Sequence, residues 1–155
     1  MLKKEFKPKG IHENGYIGQD CLIHEELSVG PMVAIGDRVK LGRHVVLEPG
    51  VVVGDDVEIG DETRVKANVT IGERCVIGAR VLIHSGVVIG SDGYGFATDS
   101  NGCHVKRPQL GIVVVGDDVE LDRAIALAQT TAGPIRFQRP HRRSLLLNTA
   151  GLRPR

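Results

Sequence analysis

Branched aliphatic residues recur at every sixth position through the first ninety residues of the chain. Starting at Ile11, fourteen consecutive positions spaced by six carry fourteen aliphatic residues, and the last of them is Ile89. A second register of mostly small and β-branched residues lies four positions after each of these. Because residues two apart on a strand point to the same side, the two registers predict the inward-facing positions of very short strands.

Glycine directly follows the aliphatic residue in nine of the fourteen repeats. Glycine at that position permits a positive φ or a close packing contact, so it indicates a turn between strands. A short strand and a turn at constant six-residue spacing are typical of a hexapeptide β-helix, in which three repeats close one coil. The predicted fold class is therefore all-β, a parallel β-helix of hexapeptide repeats with between four and five coils. An antiparallel β-sandwich would instead show a period of two.

Steps of eighteen residues place side chains on the same edge of the predicted triangular prism. One edge carries varied residues: His12, Gly30, Glu48, Lys66 and His84. Another edge is entirely glycine: Gly18, Gly36, Gly54, Gly72 and Gly90. Two interpretations of the varied edge remain open, a solvated surface and a subunit contact or ligand groove.

The six-residue phase fails after Gly90 and resumes, shifted, at Val115. The segment 91–110 is therefore predicted to be a loop expelled from a coil. Such loops on rigid scaffolds often carry function, although a capping flap is the alternative. The predicted organisation is a lead-in over 1–10, the β-helix over 11–122 with the extruded loop at 91–110, and an atypical tail over 123–155.

The tail differs sharply from the rest of the chain in charge. Residues 123–155 contain seven Arg and no Lys, Asp or Glu, whereas the preceding residues carry a net charge of −6. The hexapeptide register also disappears there. The tail is therefore expected to be out of frame or disordered, with a basic interaction tail as the alternative.

Composition excludes several other classes of protein. The net charge of +1 gives no indication of nucleic-acid binding, and the longest apolar run is far shorter than a transmembrane helix. Three cysteines without metal-ligand spacing predict neither a disulfide framework nor a metal site, and a reducing cytoplasm is the default. The histidines also lack the paired spacing of a β-helical zinc enzyme. No cofactor or metal is predicted.

Two segments resemble a known family of hexapeptide-repeat enzymes. The first combines Ile83-His84-Ser85-Gly86 with the run from Ile89 to Phe96, and the second runs from Lys106 through Pro108 and Gln109 to Gly111. In this order they resemble the UDP-3-O-acylglucosamine N-acyltransferases of lipid A biosynthesis. The resemblance implies a left-handed β-helix, a homotrimer and a cytoplasmic enzyme of lipid metabolism.

The resemblance also implies a reaction. The family transfers a 3-hydroxyacyl chain from acyl carrier protein to the 2-amine of a UDP-linked, 3-O-acylated glucosamine. The residues predicted to lie near the substrate groove are Asp92, Gly93, Tyr94, Gly95, Phe96, Lys106, Gln109 and His84. For His84, an ordinary solvated or inter-subunit position is the alternative.

Two features of the family have no match in this sequence. The catalytic His, part of a His-Asn pair that follows the Gly-Asp-Asp-Val-Glu segment, has no counterpart after Glu120, and residues 1–10 do not resemble the uridine-binding domain. No catalytic residue is therefore assigned, and we expect an incomplete copy without turnover. Two other functions remain as alternatives, a small acetyl-CoA-dependent acetyltransferase and a non-catalytic β-helical remnant.

Overall fold

The computed structural model describes residues 10–24, 26–91, 96–106, 112–122, 126–128 and 135–138. These residues form three six-stranded parallel sheets and one two-stranded antiparallel hairpin. Within this part of the chain, no helix is long and apolar enough to cross a membrane.

Each parallel sheet forms one side of a triangular prism. Sheet A contains β1 (Gly10–Ile11), β4 (Ser28–Val29), β7 (Val46–Leu47), β10 (Arg64–Val65), β13 (Leu82–Ile83) and β18 (Glu120–Leu121). Sheet B contains β2 (Tyr16–Ile17), β5 (Ala34–Ile35), β8 (Val52–Val53), β11 (Thr70–Ile71), β14 (Val88–Ser91) and β19 (Ala126–Ala128). Sheet C contains β3 (Leu22–Ile23), β6 (Lys40–Leu41), β9 (Glu58–Ile59), β12 (Val76–Ile77), β17 (Val113–Val115) and β20 (Ile135–Phe137). The hairpin pairs β15 (Phe96–Thr98) with β16 (His104–Lys106).

The chain visits the three sheets in turn and returns to each after eighteen residues. In sheet A, for example, Arg64 pairs with Val46 below it and with Leu82 above it. All strand pairs of the three sheets are parallel, so the architecture is a solenoid of stacked coils. This confirms the predicted parallel β-helix of hexapeptide repeats, and the arrangement is consistent with the left-handed form.

The two aliphatic registers fill the interior of the prism. Ile35, Leu47 and Val51 are completely buried, as are most other members of both registers from Leu27 to Leu121. Thr63 is the buried polar residue of this core, and its hydroxyl donates to the Gly78 carbonyl (2.8 Å) and accepts from the Val81 N–H (3.1 Å). The core therefore contains small and branched aliphatic side chains stacked coil on coil, as the period of six predicted.

Glycine at the first turn position is required by close packing between coils. A Cβ added to Gly36 would lie 2.9 Å from the Asp55 nitrogen and would overlap the Asp55 carboxylate of the next coil. That carboxylate, at the second turn position, accepts a hydrogen bond from the Asp37 N–H (2.9 Å). The same arrangement joins Gln19 to Asp37 (2.8 Å). Glycine in one coil thus leaves room for an aspartate that binds the backbone of that coil from the next one.

The positive φ falls at the third turn position, and mostly on residues other than glycine. The non-glycine residues concerned are Asp20, Met32, Arg38, His44, Asp56, Glu62, Asn68, Arg74, Arg80 and Asp118. Each such residue is conformationally unfavourable in isolation. The stacking compensates, because the N–H at this position donates to a carbonyl of the preceding coil, as from Arg38 to Gln19 (2.8 Å) and from Asp56 to Asp37 (2.9 Å).

Charged or titratable side chains occupy the third turn position on two of the three edges. We call the edges AB, BC and CA after the sheets they join. Edge BC carries Asp20, Arg38, Asp56 and Arg74, and edge CA carries Glu26, His44, Glu62, Arg80 and Asp118. Arg38 and Arg80 form ion pairs with Asp56 and Asp118 of the next coil, and the hydrogen bond from Arg38 (2.7 Å) holds the pKa of Asp56 below its usual range. Edge AB carries no charge at this position: Asn14, Met32, Gly50, Asn68 and Gly86.

We expect Val57→Asp to unfold the β-helix. Val57 is completely buried, and an unpaired buried carboxylate costs several kcal/mol, a large part of a domain's total stability. Leu22→Asp is the matched control, because Leu22 is 64% exposed on the outer surface of sheet C. Circular dichroism melting curves should show loss of the cooperative transition for Val57→Asp only. A Val57→Asp protein that melts like the parent would contradict the inward register.

We expect Gly36→Ala to lower the free energy of unfolding by about 1–3 kcal/mol, because the added Cβ overpacks the contact with the next coil. Thr70→Ala, at an exposed strand position, serves as the comparison. Urea denaturation of both variants measures the difference. Equal stability of Gly36→Ala and the parent would show that the coils do not need this close approach.

Candidate functional site

The regular stacking is interrupted by an insertion on edge BC. Strand β17 lies above β12, but their paired residues Val76 and Val114 are 38 positions apart, twenty more than in the regular coils. Within β14, the pairing with β19 shifts register between Ile89 and Ser91, at Gly90, whose φ is +77° and where a Cβ would lie 2.5 Å from the Cys75 sulfur. Glycine is needed here for both reasons, because the irregular backbone passes directly over a buried side chain.

The described part of the insertion is a β-hairpin. Phe96 lies opposite Lys106, and Thr98 lies opposite His104. The Asp99 carboxylate closes the turn, because its Oδ1 accepts from the N–H groups of Asn101 (2.9 Å) and Cys103 (2.8 Å). The lost six-residue phase predicted only a loop here, and these strands were not expected. An Asn-Gly dipeptide is the signal that could have revealed them, since it favours tight hairpin turns.

The predicted site residues divide into three groups: those outside the described residues, the pair at the base of the hairpin, and His84 on another edge. Asp92, Gly93, Tyr94, Gly95 and Gln109 lie outside the described residues. Phe96 and Lys106 form the pair at the base of the hairpin, so the structure brings these two together.

His84 lies on a different edge from the insertion. It occupies the first turn position of edge AB, where its N–H donates to the Leu121 carbonyl (2.9 Å). Its Nε2 lies 2.8 Å from Glu120 Oε1, so a histidine–carboxylate pair joins the coils before and after the insertion. Strand β14 separates this pair from edge BC. The structure therefore does not place His84 beside the described base of the hairpin.

The varied edge predicted from the sequence is edge AB, and its charges are paired within the chain. Lys66 Nζ lies 2.8 Å from Glu48 Oε1, and the Glu48 side chain is only 14% exposed. His84 follows in the next coil with Glu120 as its partner. These side chains bridge successive coils and leave no net charge on Glu48 and Lys66 together.

A shallow groove of about 350 Å³ runs across sheet C and edge CA. Leu22, His24 and Val76 line it, and the Lys40–Glu58 ion pair (2.5 Å) crosses it. This groove was not expected from the sequence. Its signal is the pair Gly42 and Gly60, which leave the edge above His24 without side chains. Of the predicted site residues that the structure describes, none lines the groove.

The three cysteines differ in their surroundings. Cys75 is buried beneath the point where the insertion leaves, and burial raises the pKa of its thiol. Cys103 is exposed at the tip of the hairpin. Among the described residues, no group of three or more His, Cys, Asp or Glu side chains is arranged to hold a metal ion.

The fold and the insertion define a hexapeptide-repeat β-helix protein with a hairpin extruded from one edge. Residues 7–92 match the family model described as the GMPPB C-terminal domain, and the chain belongs to that family through these residues. The match ends where the regular coils end. It therefore describes the repeat scaffold and does not extend across the insertion.

The curated relatives extend further and carry one name. The chain is 47% identical over 133 residues to the UDP-3-O-acylglucosamine N-acyltransferase of Desulfotalea psychrophila, covering 86% of this chain and 39% of the relative. Identity is 39% over 131 residues to UDP-3-O-acylglucosamine N-acyltransferase 1 of Gloeobacter violaceus (84% and 37%). It is 38% over 137 residues to the enzyme of Anaeromyxobacter dehalogenans (84% and 27%).

These alignments confirm the resemblance found in the sequence. A 133-residue alignment within a chain of 155 residues necessarily crosses the insertion, so it includes the part that the GMPPB match leaves out. The chain is thus homologous to the UDP-3-O-acylglucosamine N-acyltransferases. It spans about two-fifths or less of the length of these relatives.

We expect Asp99→Ala to loosen the tip of the hairpin without affecting the coils. The substitution removes two hydrogen bonds, each of which contributes about 1 kcal/mol or less at an exposed site. Amide exchange at Asn101 and Cys103 should become up to about fivefold faster, which corresponds to about 1 kcal/mol for each lost bond. Asp99→Asn keeps an acceptor oxygen and should lie close to the parent. Unchanged exchange in Asp99→Ala would contradict the role of this carboxylate.

Proposed function

We propose that this chain is the β-helical part of an N-acyltransferase of lipid A biosynthesis. The substrates are a 3-hydroxyacyl chain carried by acyl carrier protein and the 2-amine of UDP-3-O-acylglucosamine. The observation that carries the proposal is the homology across the insertion, since repeated coils alone are common to proteins of many functions. In the reaction, the amine nitrogen attacks the thioester carbonyl. The C–N bond forms, the C–S bond breaks, and the carrier thiol leaves.

The hairpin and its flanking residues are the proposed substrate-binding elements. Phe96 and Lys106 stand opposite each other where the hairpin leaves the coils, and Asp92, Gly93, Tyr94, Gly95 and Gln109 flank them in the sequence. This proposal is supported by the place of the hairpin in the chain, between β14 of sheet B and β17 of sheet C. His84 is proposed as a more distant groove residue, held by Glu120 on edge AB.

Acyl transfer to an amine also needs a base to take the proton from the nitrogen. Such a base typically contributes about 10²–10⁴-fold to the rate. The base expected from the resemblance belongs to a His-Asn pair, and no such pair occurs in the chain after Glu120. We therefore propose that the 155-residue chain binds the acyl donor but does not catalyse its transfer. We also propose, from the family resemblance, that the chain assembles as a homotrimer.

The proposal predicts that residues 10–122 can replace the corresponding segment of the Desulfotalea relative with activity retained. Acylation of UDP-3-O-acylglucosamine by 3-hydroxyacyl carrier protein should proceed in the chimera and fall below detection in the 155-residue chain alone. Calorimetry should detect binding of the acylated carrier protein to both proteins. Acetyl-CoA should neither bind nor serve as donor.

Controls separate the proposed roles of individual residues. In the chimera, Lys106→Ala should lower kcat/KM at least about tenfold, because charge-assisted contacts to a substrate are worth about 1.5–3 kcal/mol. Lys40→Ala, on sheet C and outside the proposed site, should leave kcat/KM unchanged. A folded, trimeric chimera without activity would contradict the proposal. Binding of acetyl-CoA in place of the carrier protein would favour the small acetyltransferase, and binding of neither would favour a non-catalytic remnant.

A further inference from the structure

We propose that the Gly-Asp-Asp-Val-Glu segment at 116–120 positions the insertion, with Arg80 and His84 as the positioning residues that it binds. The inference rests on the proposed function, because the insertion carries the proposed substrate-binding elements. The segment follows the insertion in the chain, and the residues that it binds precede the insertion. We call the contacts between 78–84 and 116–120 the clamp.

Two aspartates of the segment bind side by side to the coil before the insertion. Asp117 Oδ1 accepts a hydrogen bond from the Ala79 N–H (2.8 Å), and a Cβ on Gly78 would lie 2.7 Å from the Asp117 nitrogen. Asp118 accepts two hydrogen bonds from the Arg80 guanidinium, one from Nε (2.7 Å) and one from Nη2 (2.9 Å). Both contacts lie on edge CA and connect residues 38 positions apart.

The third acidic residue of the segment adds a contact towards edge AB. Glu120 belongs to β18, which pairs with β13, and its Oε1 lies 2.8 Å from His84 Nε2. The pairing of β13 with β18 therefore has the Arg80–Asp118 pair on one side and the His84–Glu120 pair on the other. The clamp thus holds sheet A together across the insertion from both of its edges.

An identical Gly-Asp-Asp-Val-Glu segment at 54–58 provides a comparison within the chain. Its acidic residues also bind the preceding coil at three points: Asp55 at the Asp37 N–H (2.9 Å), Asp56 at Arg38 (2.7 and 2.8 Å) and Glu58 at Lys40 (2.5 Å). These contacts connect residues 18 positions apart, within regular coils. The two segments therefore have the same chemistry and differ in the length of chain that they close.

The longer closure makes the clamp more important than its counterpart in the regular coils. Closing a loop of 38 residues instead of 18 lowers the closing equilibrium about threefold when all other contacts are equal. The coil after the insertion is therefore less firmly tied by its covalent connection than the coils below it. Its side-chain contacts with the preceding coil offset this loss.

A displaced coil would move one end of the insertion relative to the other. The insertion follows β14 and returns to the stack at β17, and the clamp begins directly after β17. Phe96 and Lys106 lie in the chain between these two ends. Misplacing a substrate-positioning group by about 1 Å can lower the rate about a hundredfold. The clamp therefore affects the proposed reaction without contact between its residues and the substrate.

The test weakens the two identical segments in the same way. In the chimera, Asp118→Asn combined with Glu120→Gln should lower kcat/KM about tenfold or more. Asp56→Asn combined with Glu58→Gln should leave kcat/KM unchanged. The Arg38–Asp56 and Arg80–Asp118 pairs are similarly exposed, so both double variants should show the same small decrease in melting temperature.

An exchange of charges separates the pairing from the identity of either residue. Arg80→Asp lowers kcat/KM alone, and its combination with Asp118→Arg should restore kcat/KM because the ion pair forms again. Arginine is compatible with this turn position, since Arg38 and Arg80 themselves have φ values of 55° and 53°. Failure of the exchanged pair to restore kcat/KM, in a variant that melts like the parent, would contradict the role of the pair.

Amide exchange in the 155-residue chain measures the clamp without any substrate. The N–H groups of Leu82 and His84 donate to carbonyls of the coil after the insertion (3.0 and 2.9 Å), so they exchange when that coil opens. Each ion pair lost from the clamp should accelerate this exchange up to about fivefold. The Arg64 N–H, which donates one coil lower, is the internal reference and should not change.

The outcomes distinguish this inference from the proposed function. Equal kcat/KM in the two double variants would overturn the positioning role and leave the proposed function intact. A folded but inactive parent chimera would overturn the proposed function and with it the positioning role, whereas faster exchange at Leu82 and His84 would still support the clamp. Unchanged exchange at these two amides would overturn the clamp itself. Faster exchange, selective loss of activity and its restoration by the exchanged charges together support the inference.

Discussion

The close approach of successive coils at the corners of the prism is the constraint on which the rest of the structure depends. At the first turn positions that carry glycine, such as Gly36 and Gly60, the backbones come so near that an added Cβ would overlap the next coil. The space left by glycine is filled from above by an aspartate such as Asp55, whose carboxylate binds the backbone below it. The close packing at glycine and the hydrogen bond accepted by the aspartate therefore belong to one contact between two successive coils.

This contact also accounts for the unusual backbone of the turns. A positive φ on residues such as Arg38 and Asp56 would be unfavourable in an isolated turn. In the solenoid, each of these residues donates its N–H to the coil below and carries its side chain next to a stacked neighbour of opposite charge. Local strain is thus offset by interactions that exist only when coils are stacked, which makes a single coil unstable and the assembled array cooperative.

Because all coils obey the same rule, deviations from it mark the positions where function can be added. The strand pairing becomes irregular at Gly90, and the hairpin closed by Asp99 follows in the chain. Beyond it, β17 and β18 return to the stack, and His84 binds Glu120 across the interruption. The core continues across the interruption, because Val113 and Leu121 are buried like the aliphatic residues of the coils below.

The sequence by itself determined the coils, because a period of six with buried aliphatic residues such as Ile35 and Leu47 is compatible with only one way of burying both registers. It also located the interruption after Gly90, since a lost phase is visible in one dimension. The sequence did not distinguish the two roles of glycine, because a position that needs close packing and a position that needs a positive φ both carry glycine. The hairpin over Phe96–Lys106 was missed for a related reason, since its short strands lack an inward-facing register. Tertiary structure alone decided that His84 and the insertion lie on different edges. Residues six apart in a hexapeptide solenoid are neighbours in sequence but are separated by a whole side of the prism.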